Sequence, residues 1–272
     1  MANKFNVGDI EITVVSDGSI SFPATAYFPG TTAEQWKTHQ RLLDHQGNLN
    51  FEFSSFVIRS GGKTLMIDAG IGNRTIGPFN GGALIGQLAD AGFTPGGIDA
   101  VFCTHLHLDH YGHIVDGEDD ALKVAFPNAS LHWTDAENAF AATAPGPDAG
   151  MRKAMLGLIG DRWQAKNDGD EIIPGVQVIA MPGHTPGHAA VLVSSGTERA
   201  FILGDGISCP AQLSEPEWSG LGDVDPKLAR ASQEALMREL EGEGTLVGAA
   251  HFPGLTFGRV MTGEGRRYWQ AV

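Results

Sequence analysis

Residues 104–110 read T-H-L-H-L-D-H, so four side chains able to bind a metal fall within six positions. An apolar strand is predicted immediately before them, over residues 99–103. Because side chains alternate along an extended chain, His105 and His107 point the same way and can reach one ion. Asp109 and His110 follow where the chain must turn, so they can face a neighbouring ion. The stretch therefore predicts a metal site.

Four other predicted strands also end in a histidine or an aspartate. These residues are Asp68, His184, Asp205 and His251. Strands that finish at one rim of a sheet bring such side chains together, whereas chance placement would scatter them over the surface. We therefore predict that the ends of five strands converge on one metal centre.

The candidate ligands divide into two sets of three, with one residue between the sets. They are His105, His107 and His184; Asp109, His110 and His251; and, between them, Asp205. The first set offers three imidazoles and leaves a coordination position open, as catalytic sites do. The second set offers one oxygen and two nitrogens, and the Asp205 carboxylate can bridge two divalent ions. Imidazole with carboxylate suits zinc, and also iron, manganese or cobalt.

The composition restricts the classes of partner. With a net charge of −14, the surface repels phosphate backbones and anionic lipids. We therefore expect a small-molecule substrate, and neither nucleic acid nor a membrane. The N-terminus shows no basic segment followed by an apolar one, so no signal peptide is predicted. Two cysteines, Cys103 and Cys209, form no disulfide framework, and the cytoplasm is the expected location.

Strands and helices alternate in two comparable halves, which favours an α/β fold of two packed sheets with helices outside. The segments around Gly61-Gly62 predict a β-hairpin, and Asp225-Pro226 predicts the start of a helix over residues 226–241. No linker-like stretch divides the chain, so we predict a single domain over residues 1–272. An N-terminal excursion at about residues 20–52 is predicted to be irregular, with a short helix.

The motifs resemble those of the metallo-β-lactamase superfamily. The stretches 182–188 (P-G-H-T-P-G-H), 204–205 (G-D) and 250–251 (A-H) follow the opening stretch in the family's order. Asp68, in L-M-I-D-A-G, matches the family's first motif. The resemblance implies a four-layer αβ/βα sandwich, in which two mixed β-sheets carry helices on their outer faces and hold a dinuclear site at one edge. It also implies a homodimer.

Four further residues are predicted to act near the ligands. Asp68 is expected to hydrogen-bond a ligand histidine or its loop, and His188 to support the ligands in a similar way. Trp218 and Phe252 lie near ligands in the sequence and are expected to line an apolar pocket. We expect substrate specificity to depend on loops 24–50, 70–82 and 206–224.

Secondary motifs resemble a particular branch of the family. A-F-P-N-A-S (125–130), G-D-V-D-P (222–226) and A-H-F-P-G (250–254) look most like methyl parathion hydrolase, and the aspartate–histidine pair at 109–110 resembles quorum-sensing lactonases as well. Acyl-homoserine lactonases usually carry a tyrosine three residues after the bridging aspartate, and this chain has Ser208 there. That departure argues against a tyrosine-assisted lactonase mechanism.

The resemblance implies metal-assisted hydrolysis of a small-molecule lactone, aryl ester or phosphotriester. In this hypothesis a hydroxide shared by the two ions, whose pKa is lowered from about 15.7 in bulk water towards 7, attacks the substrate. Asp205 holds both ions, and Asp109 carries a proton to the leaving group while remaining a ligand. The alternatives are β-lactam hydrolysis by the same centre, and a metal-binding or sensing protein without catalysis.

Overall fold

The computed structural model of the chain describes residues 3–73, 80–117, 122–241 and 244–272. Residues 74–79 of the predicted loop 70–82 lie outside these ranges. The strands are β1 (Asn3–Val7), β2 (Ile10–Pro23), β3 (Asn48–Ser60), β4 (Lys63–Ile67), β5 (Ala100–Phe102), β6 (Val115–Asp116), β7 (Lys123–Val124), β8 (Ser130–His132), β9 (Glu171–Ile173), β10 (Val176–Ala180), β11 (Ala189–Ser195), β12 (Glu198–Ile202), β13 (Thr245–Gly248), β14 (Gly258–Gly263) and β15 (Arg266–Ala271). The α-helices are α1 (Ala24–Tyr27), α2 (Ala33–Trp36), α3 (Leu84–Asp90), α4 (Leu108–Tyr111), α5 (Asp135–Ala141), α6 (Ala149–Ile159), α7 (Ala211–Ser214) and α8 (Pro226–Leu240), and short 3₁₀ turns cover Lys37–Leu42, Pro95–Gly97, Gly112–Ile114 and Gly160–Arg162.

Two mixed sheets face each other. The first has the strand order β1-β2-β3-β4-β5-β8, the second the order β15-β14-β13-β12-β11-β10-β9, and β6 and β7 form a separate hairpin. Within these sheets β4, β5 and β8 run parallel, as do β12 and β13, and the other pairs are antiparallel. Side chains of both sheets share one buried cluster, which includes Ile12, Ile58, Ile67, Val178, Val191 and Ile202. The inner faces are therefore packed on each other.

Helices cover the outer face of each sheet. On the first sheet, Leu84 and Leu88 of α3 and Met155 of α6 join the buried cluster of Met66 and its neighbours. On the second sheet, side chains of α8 pack on Phe201, Val247 and Val260; they are Leu236, Met237 and Leu240. These contacts confirm the predicted four-layer αβ/βα sandwich. No described helix is both long and apolar enough to cross a membrane.

Local sequence signals explain two of the elements. Gly61 and Gly62 both have positive φ, 58° and 76°, as a two-residue hairpin turn between β3 and β4 requires. The carboxylate of Asp225 accepts hydrogen bonds from the backbone N–H groups of Lys227 (3.1 Å) and Leu228 (3.0 Å) and caps α8, which begins with Pro226. The predicted hairpin and helix are both present.

The N-terminal excursion is more regular than predicted. Strands β2 and β3 remain paired as far as Pro23 and Asn48, so residues 20–23 and 48–52 are strand, not irregular loop. Pairing shifts by one residue between Ser16 and Ser19 and then continues, and Ile20 is buried in an aromatic cluster beyond the shift. Only residues 24–47 leave the sheet, and they contain α1, α2 and the 3₁₀ turn of residues 37–42.

The strand directions bring the predicted ligands to one edge. Strands β10, β12 and β13 run the same way, since β12 is parallel to β13 and antiparallel to β11, which is antiparallel to β10. His184, Asp205 and His251 follow the carboxyl ends of these three strands. In the first sheet, Asp68 and the 104–110 stretch follow the parallel strands β4 and β5.

Candidate metal centre

The three-histidine set, His105, His107 and His184, converges on a single point. Nδ1 of His107 lies 2.9 Å from Nε2 of His105 and 3.0 Å from Nε2 of His184. Burial, together with the charges of neighbouring imidazoles, lowers the pKa of His105 well below its ordinary value and that of His107 to about 3. The two rings are therefore neutral at pH 7, with ring nitrogens aimed at the same place.

The aspartate-flanked set, Asp109, His110 and His251, forms a second group with ligand atoms within 4.8 Å of one another. Oδ2 of Asp109 lies 3.5 Å from Nε2 of His251 and 3.8 Å from Nε2 of His110. Burial lowers the pKa of both histidines, but the nearby carboxylates, of which Asp205 acts most strongly, outweigh it and leave both pKa values raised. His110 and His251 therefore favour the protonated form, whereas His105 and His107 of the first set favour the neutral form.

Asp205 lies between the two sets. Its Oδ1 is 3.2 Å from Nε2 of His110 and 3.1 Å from Nε2 of His251, and its Oδ2 is 3.5 Å from Nε2 of His184. Burial raises the pKa of this carboxyl, but the charges of His251 and His110 outweigh burial and hold the pKa well below its usual range. The carboxylate is thus ionised and reaches both sets.

Two buried atoms show that the residues fit divalent ions. Nε2 of His110 and Oδ1 of Asp205 are fully buried and lie 3.2 Å apart, yet neither has a partner in hydrogen-bonding geometry among the described residues. A buried polar atom without a partner costs about 1–3 kcal/mol. An ion held by each ligand set, with Asp205 between them, would satisfy both atoms. Nitrogen and oxygen donors without thiolate suit zinc, iron, manganese or cobalt.

Each histidine that presents Nε2 to the centre has its other ring nitrogen fixed. The four pairs are His105 with the Thr104 hydroxyl (3.2 Å), His110 with Asp68 (2.8 Å), His184 with Asp223 (3.0 Å) and His251 with the carbonyl of Glu52 (2.7 Å). Because a carboxylate or carbonyl only accepts, the Nδ1 of its partner must carry the proton. These contacts therefore turn Nε2 towards the centre, as orienting partners do in metal sites.

Asp68 and His188 stand directly behind the ligands. Asp68 accepts from the backbone N–H (2.8 Å) and the hydroxyl of Thr104 as well as from His110. His188 donates from Nδ1 to the Met181 carbonyl (3.0 Å), which leaves Nε2 to accept the backbone N–H of Asp205 (3.0 Å). The structure thus brings the seven predicted ligands together and places both supporting residues in contact with them.

A cavity of about 280 Å³ opens beside the centre. Its described lining combines five predicted ligands with an apolar wall and contains neither lysine nor arginine; the lining residues are Ile20, Phe22, Tyr27, Phe51, Phe53, His107, Asp109, His184, Asp205, Leu221, Gly222 and His251. Most of the apolar wall comes from the paired strands β2 and β3. The predicted specificity loops 24–50 and 206–224 contribute Tyr27, Leu221 and Gly222.

The structure places Trp218 and Phe252 away from this lining, which corrects the predicted pocket. Trp218 packs on Trp36, with ring centroids 4.6 Å apart, in the aromatic cluster behind the cavity wall. Phe252 follows His251 and points to the opposite side, where it packs edge-on against Trp269 in the core under α8. Proximity to a ligand along the chain therefore did not identify the side chains that face the cavity.

Sequence reasoning also missed Tyr27 and Asp223. The Tyr27 phenol lies beside the side chain of Ser208, so a tyrosine from α1 meets the position at which the family pattern places one. Burial, together with the charge of Asp205, raises the pKa of Tyr27 well above its usual value, so the phenol keeps its proton. No short-range pattern links residues 27 and 208. Asp223, by contrast, lies in the quoted G-D-V-D-P motif, which contained the signal for it.

The chain is similar in sequence to known proteins. Residues 54–251 match the family model described as the metallo-beta-lactamase superfamily. A probable metallo-hydrolase of Mycobacterium tuberculosis is 33% identical over 133 residues, which are 44% of this chain and only 40% of the relative's length. The N-acyl homoserine lactonase AiiA of Bacillus thuringiensis subsp. kurstaki is 24% identical over 220 residues, 75% of this chain and 82% of the relative.

Solved structures extend the likeness to the whole fold. AidC, a dizinc quorum-quenching lactonase in complex with a product, superimposes with a TM-score of 0.89 at 23% identity and covers 100% of this chain and 97% of that one. The hydrolase AbOPH, of the beta lactamase superfamily, superimposes with a TM-score of 0.84 at 24% identity, covering 100% and 97%. The family model spans most of the chain, and the sandwich and the ordered ligand motifs agree with it. The chain belongs to the metallo-β-lactamase superfamily.

Proposed function

We propose that the protein is a metal-dependent hydrolase of small, neutral lactones and esters that carry an apolar group. The observation that carries the proposal is the cavity, in which an apolar wall faces two adjoining ligand sets at the edge of the sandwich. A substrate can place its apolar part against the wall while its ester bond lies at the ligands. The similarity to N-acyl homoserine lactonases supports acyl-homoserine lactones as the first substrates to test.

The chain holds the reaction centre and can move a proton within it. Divalent ions, for which we propose zinc, would supply Lewis acidity that polarises the substrate carbonyl and lowers the pKa of water. The two ligand sets and Asp205 would hold these ions. Asp109 has a side chain that is 21% exposed and faces the cavity. Its carboxylate is therefore placed to accept a proton during attack and to return it to the leaving group.

Tyr27 adds a hydrogen-bond donor on the cavity side of the centre. Its phenol lines the cavity and remains protonated because burial raises its pKa. The phenol lies beside the side chain of Ser208, and its proton can be donated to a substrate oxygen in the cavity. We propose that Tyr27 performs the task that a tyrosine at position 208 would perform in related lactonases, which restores the tyrosine-assisted mechanism that Ser208 had argued against.

The cavity distinguishes neutral from anionic substrates. β-Lactam antibiotics carry a carboxylate, and the described lining offers no lysine or arginine to pair with one. Phosphotriesters are neutral and fit the same apolar wall. Lactones and phosphotriesters are therefore the two classes to compare, and a β-lactam serves as the anionic control.

The test is a side-by-side assay of zinc-loaded protein with N-hexanoyl-homoserine lactone, methyl paraoxon and nitrocefin. We expect kcat/KM for the lactone to exceed the other two by at least about tenfold, which corresponds to about 1.4 kcal/mol of transition-state binding. A preference for paraoxon would assign the protein to phosphotriesters. Full metal binding without turnover of any of these would contradict the proposal and favour a metal-binding or sensing role.

The role of Tyr27 is tested separately by Tyr27→Phe. Loss of one donor to a developing oxyanion lowers kcat by about 10²-fold, and zinc content should stay unchanged. Tyr268→Phe makes the same chemical change at an exposed tyrosine of β15 and serves as the control. Wild-type kcat in Tyr27→Phe would show that Tyr27 only shapes the cavity.

A further inference from the structure

Glu137 is a buried carboxylate that touches both loops of the three-histidine set. It lies in the first turn of α5 with 1% of its surface exposed. Its Oε1 accepts the backbone N–H of Leu106 at 2.7 Å, and Leu106 separates His105 from His107. Its Oε2 accepts the hydroxyl of Thr185 at 2.5 Å, and Thr185 follows His184. One side chain therefore joins the segments that supply all three histidines.

The start of α5 is built against the second of these loops. The Thr134 hydroxyl caps the helix by accepting the N–H of Glu137 (3.1 Å) and donates to the carbonyl of Gly187 (2.7 Å). A Cβ on Gly187 would lie 2.0 Å from the backbone nitrogen of Glu137, so only glycine allows the loop to lie this close. The position of Glu137 is thus fixed from its own helix, and it can act as a rigid spacer.

Glu137 is a buried acidic side chain that pairs with no lysine or arginine among the described residues. Burial raises its pKa, although Thr185 and the N–H of Leu106 partly oppose this. A buried carboxylate without a cation is costly unless its oxygens are fully hydrogen-bonded. Here both oxygens accept, from donors that belong to the two ligand loops.

We propose that Glu137 is a positioning residue that sets the spacing between the two loops of the three-histidine set and thereby tunes the affinity of that set for its ion. The inference rests on the metal centre of the proposed function, but it concerns ion binding and requires no particular substrate. The aspartate-flanked set is held by other partners, Asp68 and the carbonyl of Glu52. Loss of Glu137 should therefore affect one ion and spare the other.

The experiment compares Glu137→Gln with wild type by titrating the metal-free full-length chain with Co²⁺. Glutamine keeps the shape but has one acceptor oxygen, so it cannot serve both loops as an acceptor. We expect the affinity of the three-histidine set to fall by about 10–100-fold, the usual effect of losing an orienting partner, and the other affinity to change by less than about threefold. The visible absorption of Co²⁺ reports the loss at the three-histidine set directly. Glu198→Gln, at an exposed position of β12, is the matched control.

A second pair of variants keeps the test decisive if Glu137→Gln folds poorly. Thr185→Val retains the side-chain shape but removes the hydroxyl that Glu137 accepts, whereas Thr185→Ser restores it. We expect weakened binding in Thr185→Val, at the three-histidine set only, and near wild-type binding in Thr185→Ser. Equal losses at both sets, or no loss in any variant, would overturn the proposal. A protein that binds metal as expected but hydrolyses none of the three substrates would contradict the proposed function alone.

Discussion

The two halves of the metal centre use the same imidazole ligand in contrasting surroundings. In the three-histidine set, burial lowers the pKa of His105 and His107, and the partner behind His105 is the neutral hydroxyl of Thr104. In the aspartate-flanked set, carboxylates raise the pKa of His110 and His251 against the effect of burial. The first half is ready to accept an ion, whereas the second must exchange protons for one. The contrast gives each half its own response to mutation and to pH.

Asp205 joins the halves, so its replacement should have the largest effect. Asp205→Ala removes the carboxylate that reaches His184, His110 and His251, and both ions should bind more weakly. We expect kcat/KM to fall by about 10³-fold or more, since a bound ion supplies several kcal/mol to the transition state. Metal analysis beside kinetics checks this, with exposed Asp9→Asn as the control. Full turnover in a metal-free Asp205→Ala protein would refute the dinuclear scheme.

Replacing the aspartates that orient ligand histidines should affect the two ligand sets differently, with an effect smaller than that of Asp205→Ala. Asp223→Asn removes the carboxylate partner of His184, whereas Asp68→Asn removes that of His110 and reaches His105 only indirectly, through Thr104. Asparagine tolerates the φ of 58° at position 68, so this variant adds little backbone strain. We expect each change to lower the affinity of its own set by about 10–100-fold, read by Co²⁺ titration of both proteins. If either variant weakened both sets equally, the halves would not be independent.

The pH dependence of metal affinity should differ between the two ligand sets, and this is the smallest of the expected effects. The raised pKa values of His110 and His251 mean that these rings hold protons in the metal-free protein at neutral pH, so an ion must displace them. Affinity for that ion should fall as pH falls, by about tenfold per pH unit for each proton displaced. The pKa of His107, about 3, leaves no proton to displace there above pH 6. Calorimetric titrations in buffers of different ionisation enthalpy count the protons released as each ion binds. Equal proton release on binding of the two ions would contradict the difference between the two ligand sets.

Spacing within short segments predicted the fold, and it predicted that the candidate ligands would lie near one another. Alternation along β5 and the strand-ending positions of His184, Asp205 and His251 depend on local geometry, which sequence displays directly. Contacts between distant segments carry no such pattern. Tyr27 lies beside Ser208, and the 220–223 loop is also held to α1, where Leu221 N–H donates to the Tyr27 carbonyl (2.8 Å).

The sequence also offered no sign of which backbone groups contact the ligands or of which way large side chains point. The carbonyl of Glu52 orients His251, and any residue type at that position offers the same group. Trp218 and Phe252 are large and close to ligands in sequence, yet the chain direction turns both into core clusters. The wall of the cavity came instead from strand residues, which the predicted irregular excursion had concealed.

That wall is a pleated strand face, and this limits how it can change. Ile20 and Phe22 alternate along β2, Phe51 and Phe53 along β3, and Ile20 pairs with Phe51. Each of these side chains projects from a paired strand, so point substitutions can reshape the cavity without moving the backbone. The register shift between Ser16 and Ser19 determines which residues of β2 face the cavity. Deleting a single residue there would turn Ile20 and Phe22 to the opposite face. A diverging lineage can therefore refine substrate choice through side-chain volume, while insertions and deletions in this hairpin would erase the pocket.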